Sequence, residues 1–249
     1  MNPVEYIEFY NRVGRINGWD FSKVKCTSEG VEWDFYDKVR KASNKSDLLL
    51  DIGTGGGEAV LSIAESALLL VGIDQSSGMI KTALENAAKS RLPNVRFLRM
   101  NAEKLDFPEN FFNVVSCRHS EFNAEEISKV LVEGGLFLTQ QVGENDKANL
   151  KAAFGRGQAL GIKSGTLKNK YVTELYEAGF TDVQSFEYNA TEYYETAEDF
   201  IFLLKHTPII PDFGREESDL STLQQFIAEN KTSQGIRTNS ERFMIIARL

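Results

Sequence analysis

Short apolar runs alternate with amphipathic stretches through the middle of the chain. Leu48, Leu49, Leu50 and Ile52 read as a buried strand, followed by a helix through Ala59, Leu61, Ile63 and Ala64. Residues 68–73 form a second strand, and a helix over 76–90 opens with Ser76 or Ser77 as its cap. A third strand at 95–98 precedes a polar loop with Pro108, and a fourth lies at 112–117. A helix at 124–132 ends at Gly134-Gly135, and 136–142 is the fifth strand. Strand and helix alternating at this spacing imply a parallel sheet with helices on both faces. After Gly143 the pattern loosens into a glycine-punctuated loop (Gly155, Gly157, Gly161, Gly165) around a short helix. Then come a helix at 169–178, a long alternating strand at 182–194, helices at 197–205 and 216–229, and a last strand at 243–247. Upstream, Val31, Phe35, Val39 and Ala42 share one face of a helix that stops near residues 43–46.

The fold this predicts is α/β: a Rossmann-like three-layer α/β/α sandwich whose seven-stranded sheet is mostly parallel with an antiparallel last strand. Residues 1–249 form a single domain, with a core of 47–194 plus 241–249. Residues 1–46 and 195–240 are left as a cap over that core, or as a lateral packing layer.

Composition changes the picture in three ways. The 249 residues carry 28 basic and 36 acidic side chains, a net charge of −8, which argues against binding nucleic acid through bulk charge. Two cysteines, Cys26 and Cys117, are too few for a disulfide scaffold or a cysteine-rich zinc site. The aliphatic runs fall far short of the ~20 residues that span a bilayer, and no signal segment opens the chain. A cytoplasmic protein without metal or membrane association is the expectation, and its oligomeric state is left open.

Candidate chemistry concentrates at Asp51-Ile52-Gly53-Thr54-Gly55-Gly56-Gly57-Glu58, a strand turning through glycines into a helix. Such a turn lets backbone approach a ligand at the carboxyl end of the sheet. A dinucleotide fingerprint would need glycine or alanine where Glu58 stands. Asp51 would repel a pyrophosphate but suits a ligand carrying an ammonium and a sulfonium. Asp74, 23 residues further on, ends the second strand, where a carboxylate can accept from both hydroxyls of a ribose.

With these residues in this order, the stretches LLLDIGTGGGE, VGIDQSSGM, NAEKLDFPENFFNVVS and VLVEGGLF resemble the class I S-adenosylmethionine-dependent methyltransferases over about 47–143. The resemblance implies S-adenosylmethionine as cofactor and S-adenosylhomocysteine as product, with no metal. It implies that Asp51, Gly53, Thr54, Gly55 and Gly57 carry the methionine part and that Asp74 holds the ribose. Gln75 and Met79 would flank the adenosine on one side, and Asn101, Ala102 and Glu103 on the other. Asn101 and Asn113 stand where the family usually has aspartate; Asn101 retains a carbonyl oxygen for an adenine amino group. Gly18 to Ser22, Arg118 to Glu121 and Thr139 to Gly143 resemble a bacterial subgroup of the family. Leu203-Leu204-Lys205-His206-Thr207-Pro208 is similar to the cap segment of 23S rRNA guanine methyltransferases, whose cysteine-rich zinc module this chain lacks.

On the acceptor side, Arg118 and His119 follow the fourth strand. His119 is the best-placed base, since imidazole titrates near neutral pH, and a structural histidine bonded to backbone is the alternative. Arg118 would bind the cofactor carboxylate or an anionic acceptor, or else a surface partner. Gln140 and Gln141 end the fifth strand, and only one of them can face the cleft. Tyr6, Tyr10, Trp19 and Phe21 would form an aromatic lid or pack an amino-terminal helix; Trp19, after Gly18, is the one singled out. His206 would line the rim or serve the structure. Lys147, Lys151, Arg156, Lys163, Lys168 and Lys170 form a basic stretch with no acidic residue between them, suited to an anionic acceptor, to RNA, or to solvent. The reading is methyl transfer to a small molecule. The alternatives are an RNA methyltransferase and a non-catalytic module that binds the cofactor.

Overall fold

A computed structural model describes residues 3–249. In chain order it contains α1 (Pro3–Asn17), β1 (Cys26–Glu29), α2 (Phe35–Ala42), β2 (Leu48–Ile52), α3 (Glu58–Leu61), a 3-10 turn (Ala64–Ser66) and β3 (Leu69–Asp74). Next come α4 (Ser77–Ser90), β4 (Val95–Arg99), β5 (Phe112–Arg118), α5 (Ala124–Val130), β6 (Leu131–Val142) and α6 (Ala148–Phe154). The chain closes with α7 (Thr166–Glu177), β7 (Asp182–Tyr194), α8 (Ala197–His206), α9 (Asp219–Asn230), β8 (Lys231–Thr232) and β9 (Gly235–Arg248).

The strands join one sheet in the order β1-β7-β9-β6-β5-β2-β3-β4, with β8 on β9. From β4 across to β6 every pairing is parallel. The last strand, β9, runs antiparallel between β6 and β7. The expected seven strands are all present in this arrangement. The sheet has nine because β1 adds an edge to β7 and β8 folds back on β9. Neither addition carries an apolar alternation that would have announced it. The order reverses between β2 and β5, which opens a crevice at their carboxyl ends.

One face of the sheet buries Leu50, Val115, Phe137 and Ile245 with α5 and α7. The other buries Leu49, Leu70, Val114 and Leu138 with Val39, Ile63 and Ala83. Phe35, Tyr36 and Val39 of α2 belong to this second core, so residues 35–42 are a layer helix rather than part of a cap. A third core joins Phe200, Leu204, Leu223 and Phe226 of α8 and α9 to Leu150, with Phe21 and Val24 packed against it. The two flanking segments therefore meet each other, while α1 lies along α4.

Several boundaries moved for identifiable reasons. Val31 is exposed and outside α2, because Asp34 caps the helix by accepting from the Asp37 N–H at 2.8 Å. Helix α3 stops at Leu61 instead of running through Ala64; the Ser62 hydroxyl donates back to the Ala59 carbonyl at 2.6 Å and tightens the turn. Leu131 leaves α5 for β6, where it pairs with Phe112 and is fully buried. Strand β9 begins at Gly235, eight residues before the apolar run, because its polar residues find partners inside: Thr238 donates to Asn149 Oδ1 at 2.8 Å.

Candidate functional site

Strand β2 delivers Asp51 to the crevice and turns through left-handed glycines at 53, 55 and 57. The Gly53 and Thr54 N–H groups donate to the Ile73 carbonyl at 2.9 and 3.0 Å, which pins the loop to the end of β3. A Cβ at Gly53 would lie 2.4 Å from the Ser120 Cβ, and one at Gly55 would press on Trp19 at 3.1 Å. With positive φ at both, only glycine lets the loop pass under these neighbours.

Asp74 accepts from the Gly55 N–H at 3.1 Å through one oxygen and from the Ser76 N–H at 2.8 Å through the other. Each oxygen keeps a lone pair for a further donor. Burial pushes the Asp74 carboxyl up, and the two N–H groups oppose that shift.

Asp51 is completely buried. Its Oδ1 accepts from the Ser116 hydroxyl at 2.6 Å, on the neighbouring strand in register with it. Its Oδ2 and the Thr54 hydroxyl are buried with no hydrogen-bond partner among the described residues. Desolvation raises the Asp51 carboxyl to about 7, against the pull of Ser116, Thr54, Arg118 and Tyr36. A buried carboxylate with one open oxygen is an unmet demand for a donor or a positive charge.

The other expected residues fall around this centre. Gln75 is exposed beside Asp74, and its carbonyl accepts from the Arg99 Nε at 3.0 Å. Met79 is buried where α1 crosses α4 at Gly14. The Met100 N–H donates to the Asp74 carbonyl at 3.1 Å, which brings the next residues to the end of β3. There Asn101 Oδ1 accepts from the Glu103 N–H at 3.0 Å, a side-chain-closed turn with Ala102 at its middle. The aromatic residues do come together: Tyr6 lies 6.5 Å from Tyr10, Tyr10 5.8 Å from Trp19, and Trp19 5.2 Å from Phe21. Tyr10 feels the charge of Asp74, and the Trp19 N–H donates to Glu58 Oε1 at 3.2 Å, so this group covers the glycine loop.

Beyond Asp51, a cavity of about 770 Å³ is lined by Trp33, Tyr36, Arg40, Arg118, Gln140 and Tyr188 among others. The Arg118 guanidinium sits 5.6 Å from the centre of the Tyr36 ring. It has no carboxylate partner among the described residues. Gln140 faces this cavity, whereas Gln141 points to the opposite sheet face, donating to the Ser120 carbonyl and Thr139 at 2.8 Å each. His119 holds a left-handed backbone (φ 57°), with its N–H donating to the Gln140 carbonyl at 2.8 Å. His206 lies apart, its Nδ1 2.8 Å from the Phe202 carbonyl one turn back and its ring stacked on Phe202. Trp33, Tyr36 and Ser116 were missed as site residues. Ser116, a polar residue inside an apolar strand, was the one signal in the pattern; the aromatic pair lay in a segment read as a cap or a lateral packing layer.

The basic stretch dissolves into internal partnerships. Lys147 is buried and its ammonium donates to Glu192 at 2.7 Å; Lys151 donates to the Glu144 and Gln158 carbonyls at 2.6 and 2.9 Å. Arg156 pairs with Asp219 and Glu216, Lys168 with Glu187 and Lys170 with Glu174. Only Lys163 has no such partner among the described residues, so no basic patch faces outward here.

Residues 49–135 match the family described as a methyltransferase domain. The methyltransferase YcgJ of Bacillus subtilis, which its own name calls uncharacterized, is 31% identical over 97 residues, 36% of this chain and 38% of that protein. The crystal structure of that protein superposes with a TM-score of 0.58 at 17% identity, over 86% of this chain and 97% of the other. A ubiquinone/menaquinone biosynthesis C-methyltransferase, UbiE of Campylobacter jejuni, is 29% identical over 124 residues, 44% of this chain and 51% of that one. Over residues 49–135 the chain is similar to methyltransferase domains, and it shares the fold of the solved structure. In sequence the chain spans 38% and 51% of the length of these two curated relatives. The matched segment runs from β2 to the start of β6, the half of the sheet that carries the glycine loop, Asp74 and the 101–103 turn. Its donor set suits the family's cofactor: an open buried carboxylate oxygen for an ammonium, and a carboxylate with two free lone pairs for a diol. Among the described residues no group of three or more His, Cys, Asp or Glu side chains is placed to hold a metal, and no helix is long and apolar enough to cross a membrane.

Proposed function

We propose that the protein transfers a methyl group from S-adenosylmethionine to a small-molecule acceptor. When bound, the cofactor supplies a carbon already activated by its sulfonium. What the chain must add is position, exclusion of water and, for some acceptors, removal of a proton. Asp51 and Thr54 would hold the ammonium end, with Gly53, Gly55 and Gly57 allowing the close approach. Asp74 would take the ribose hydroxyls, with Gln75 and Met79 on one side of the adenosine and Asn101, Ala102 and Glu103 on the other. Arg118, a cation without a carboxylate of its own, would bind the cofactor carboxylate or an anionic group of the acceptor. Trp19 with its aromatic neighbours would close over the loop. Gln140 would border the acceptor, and residues 3–34 and 195–240 would cap the cleft.

The observation that carries this reading is the buried Asp51 Oδ2, which has no hydrogen-bond partner among the described residues. A small acceptor is favoured over RNA because the 147–170 cations, Lys163 apart, are paired within the chain. The test is incubation of the protein with methyl-labelled cofactor and a cell extract, followed by fractionation. Label should appear among small molecules. Label confined to RNA would overturn the acceptor class, and cofactor binding without any transfer would establish a binding module instead.

A further inference from the structure

Three side chains from separate parts of the chain form a directional series beside the cavity. The Trp33 Nε1–H, from the loop before α2, donates to Gln140 Oε1 at 2.8 Å. Gln140 Nε2, near the end of β6, lies 3.0 Å from His119 Nε2, just past β5. An indole nitrogen is a donor and never an acceptor, so Trp33 decides which end of the Gln140 amide faces it. The oxygen must face Trp33, and the NH2 group must then face His119. A ring nitrogen opposite an amide N–H has to accept, so His119 Nε2 carries a lone pair and the proton of the neutral ring sits on Nδ1. Among the described residues Nδ1 has no protein partner.

We propose that Gln140, set by Trp33, is a positioning residue that holds His119 as a neutral imidazole protonated on Nδ1, so that the ring meets the methyl acceptor as a hydrogen-bond donor and not as a base. The ligand group it fits is an oxygen with a free lone pair, such as a carbonyl, a carboxylate or a phenolate. Its use toward an acceptor rests on the methyltransferase reading; the protonation pattern does not.

The surroundings support a neutral ring. Burial and three cations oppose a charge on His119: Arg242 of β9, Arg118 at the end of β5, and Lys147 before α6. Arg242 and Lys147 are themselves paired with Asp146 and Glu192. The geometry that assigns the tautomer is independent of these charges, because it follows from donor and acceptor types alone. It also changes the role assigned from sequence, where His119 stood as the candidate base.

Nitrogen-15 spectra of the histidine rings read the tautomer directly. The chain has two histidines, and a His206→Gln variant assigns the signals. At pH 7 the wild-type His119 ring should show a protonated Nδ1 and an unprotonated Nε2, and this should persist down to about pH 6, where a free imidazole charges. In Gln140→Glu the carboxylate can only accept, so the proton should move to Nε2. In Trp33→Phe the amide is free to turn, and both neutral forms should appear. A charged or Nε2-protonated ring in the wild type contradicts the proposal even if neither variant folds, as does an unchanged Nδ1 signal in folded Gln140→Glu. Calorimetric binding of S-adenosylhomocysteine to the same samples checks the other reading separately. Loss of that binding in the wild type would remove the methyltransferase assignment and leave the tautomer result standing.

Discussion

Asp51 has no ion pair among the described residues; its Oδ1 accepts from the Ser116 hydroxyl and the group is shut away from water. Its folded pKa, about 7, lies above the value near 4 of an unfolded aspartate. The folded protein therefore binds the proton more tightly, and this contribution to stability is present at acidic pH and lost as pH rises through 7. Asp51→Asn should accordingly melt higher than wild type at pH 8, with the gap narrowing as pH falls from 7 towards 4, and it should bind the cofactor more weakly. A cationic ligand beside Asp51 should lower its pKa. S-adenosylmethionine affinity should then rise between pH 6 and 8, and calorimetry in buffers of different ionisation enthalpy should show a proton released on binding. At this scale the sequence was informative where a residue's chemistry is unusual for its place. Asp51 and Asp74 close strands that are otherwise apolar, so both could be read as ligand groups. The partnership of Trp33, Gln140 and His119 could not, because it joins positions up to 107 apart through a geometry that only the folded sheet creates.

At the scale of elements, α1 is attached to α4 by side-chain hydrogen bonds and by close backbone approach. Asn11 Oδ1 accepts from the Ser76 hydroxyl at 2.9 Å and the Gly78 N–H at 3.3 Å. A Cβ at Gly14 would stand 2.5 Å from the Met79 nitrogen. Gly14→Val must therefore lift α1 from α4, at a cost of ~1–3 kcal/mol for the overpacked contact. Hydrogen exchange should show faster amide exchange in α1, and cofactor affinity should fall if α1 bears on the cleft through Tyr10. Elements with a clean apolar period were legible within a few residues, and β7 was read at its observed bounds of 182–194. Elements stabilised by polar partners were not. The first half of β9 and all of β1 and β8 lack apolar alternation, and α3 was overextended because Ser62 ends it through its own hydroxyl.

Across the whole molecule, a net charge of −8 coexists with a 147–170 stretch whose cations, Lys163 apart, have partners within the chain. RNA binding, if it occurs through residual surface charge, should therefore be weak and should not change when Lys147 and Lys151 are replaced by glutamine in folded protein; filter binding across a salt series checks this. The seven-stranded plan and the glycine loop were legible because strand and helix alternate at the spacing a doubly wound sheet requires. The cap was less so: α2 proved to be a sheet-covering layer, and the third core under α8 and α9 joins segments some 180 residues apart.

The central claim is that the crevice at β2 and β3 holds S-adenosylmethionine. It is tested most directly by isothermal titration of the wild type and Asp74→Ala with S-adenosylmethionine and with NAD. The account predicts saturable binding of S-adenosylmethionine, no binding of NAD, and at least a roughly tenfold loss of affinity in Asp74→Ala, as expected when hydrogen bonds worth ~1.5–3 kcal/mol to a charged group disappear. Binding of NAD alone, or an unchanged affinity in Asp74→Ala, would contradict it.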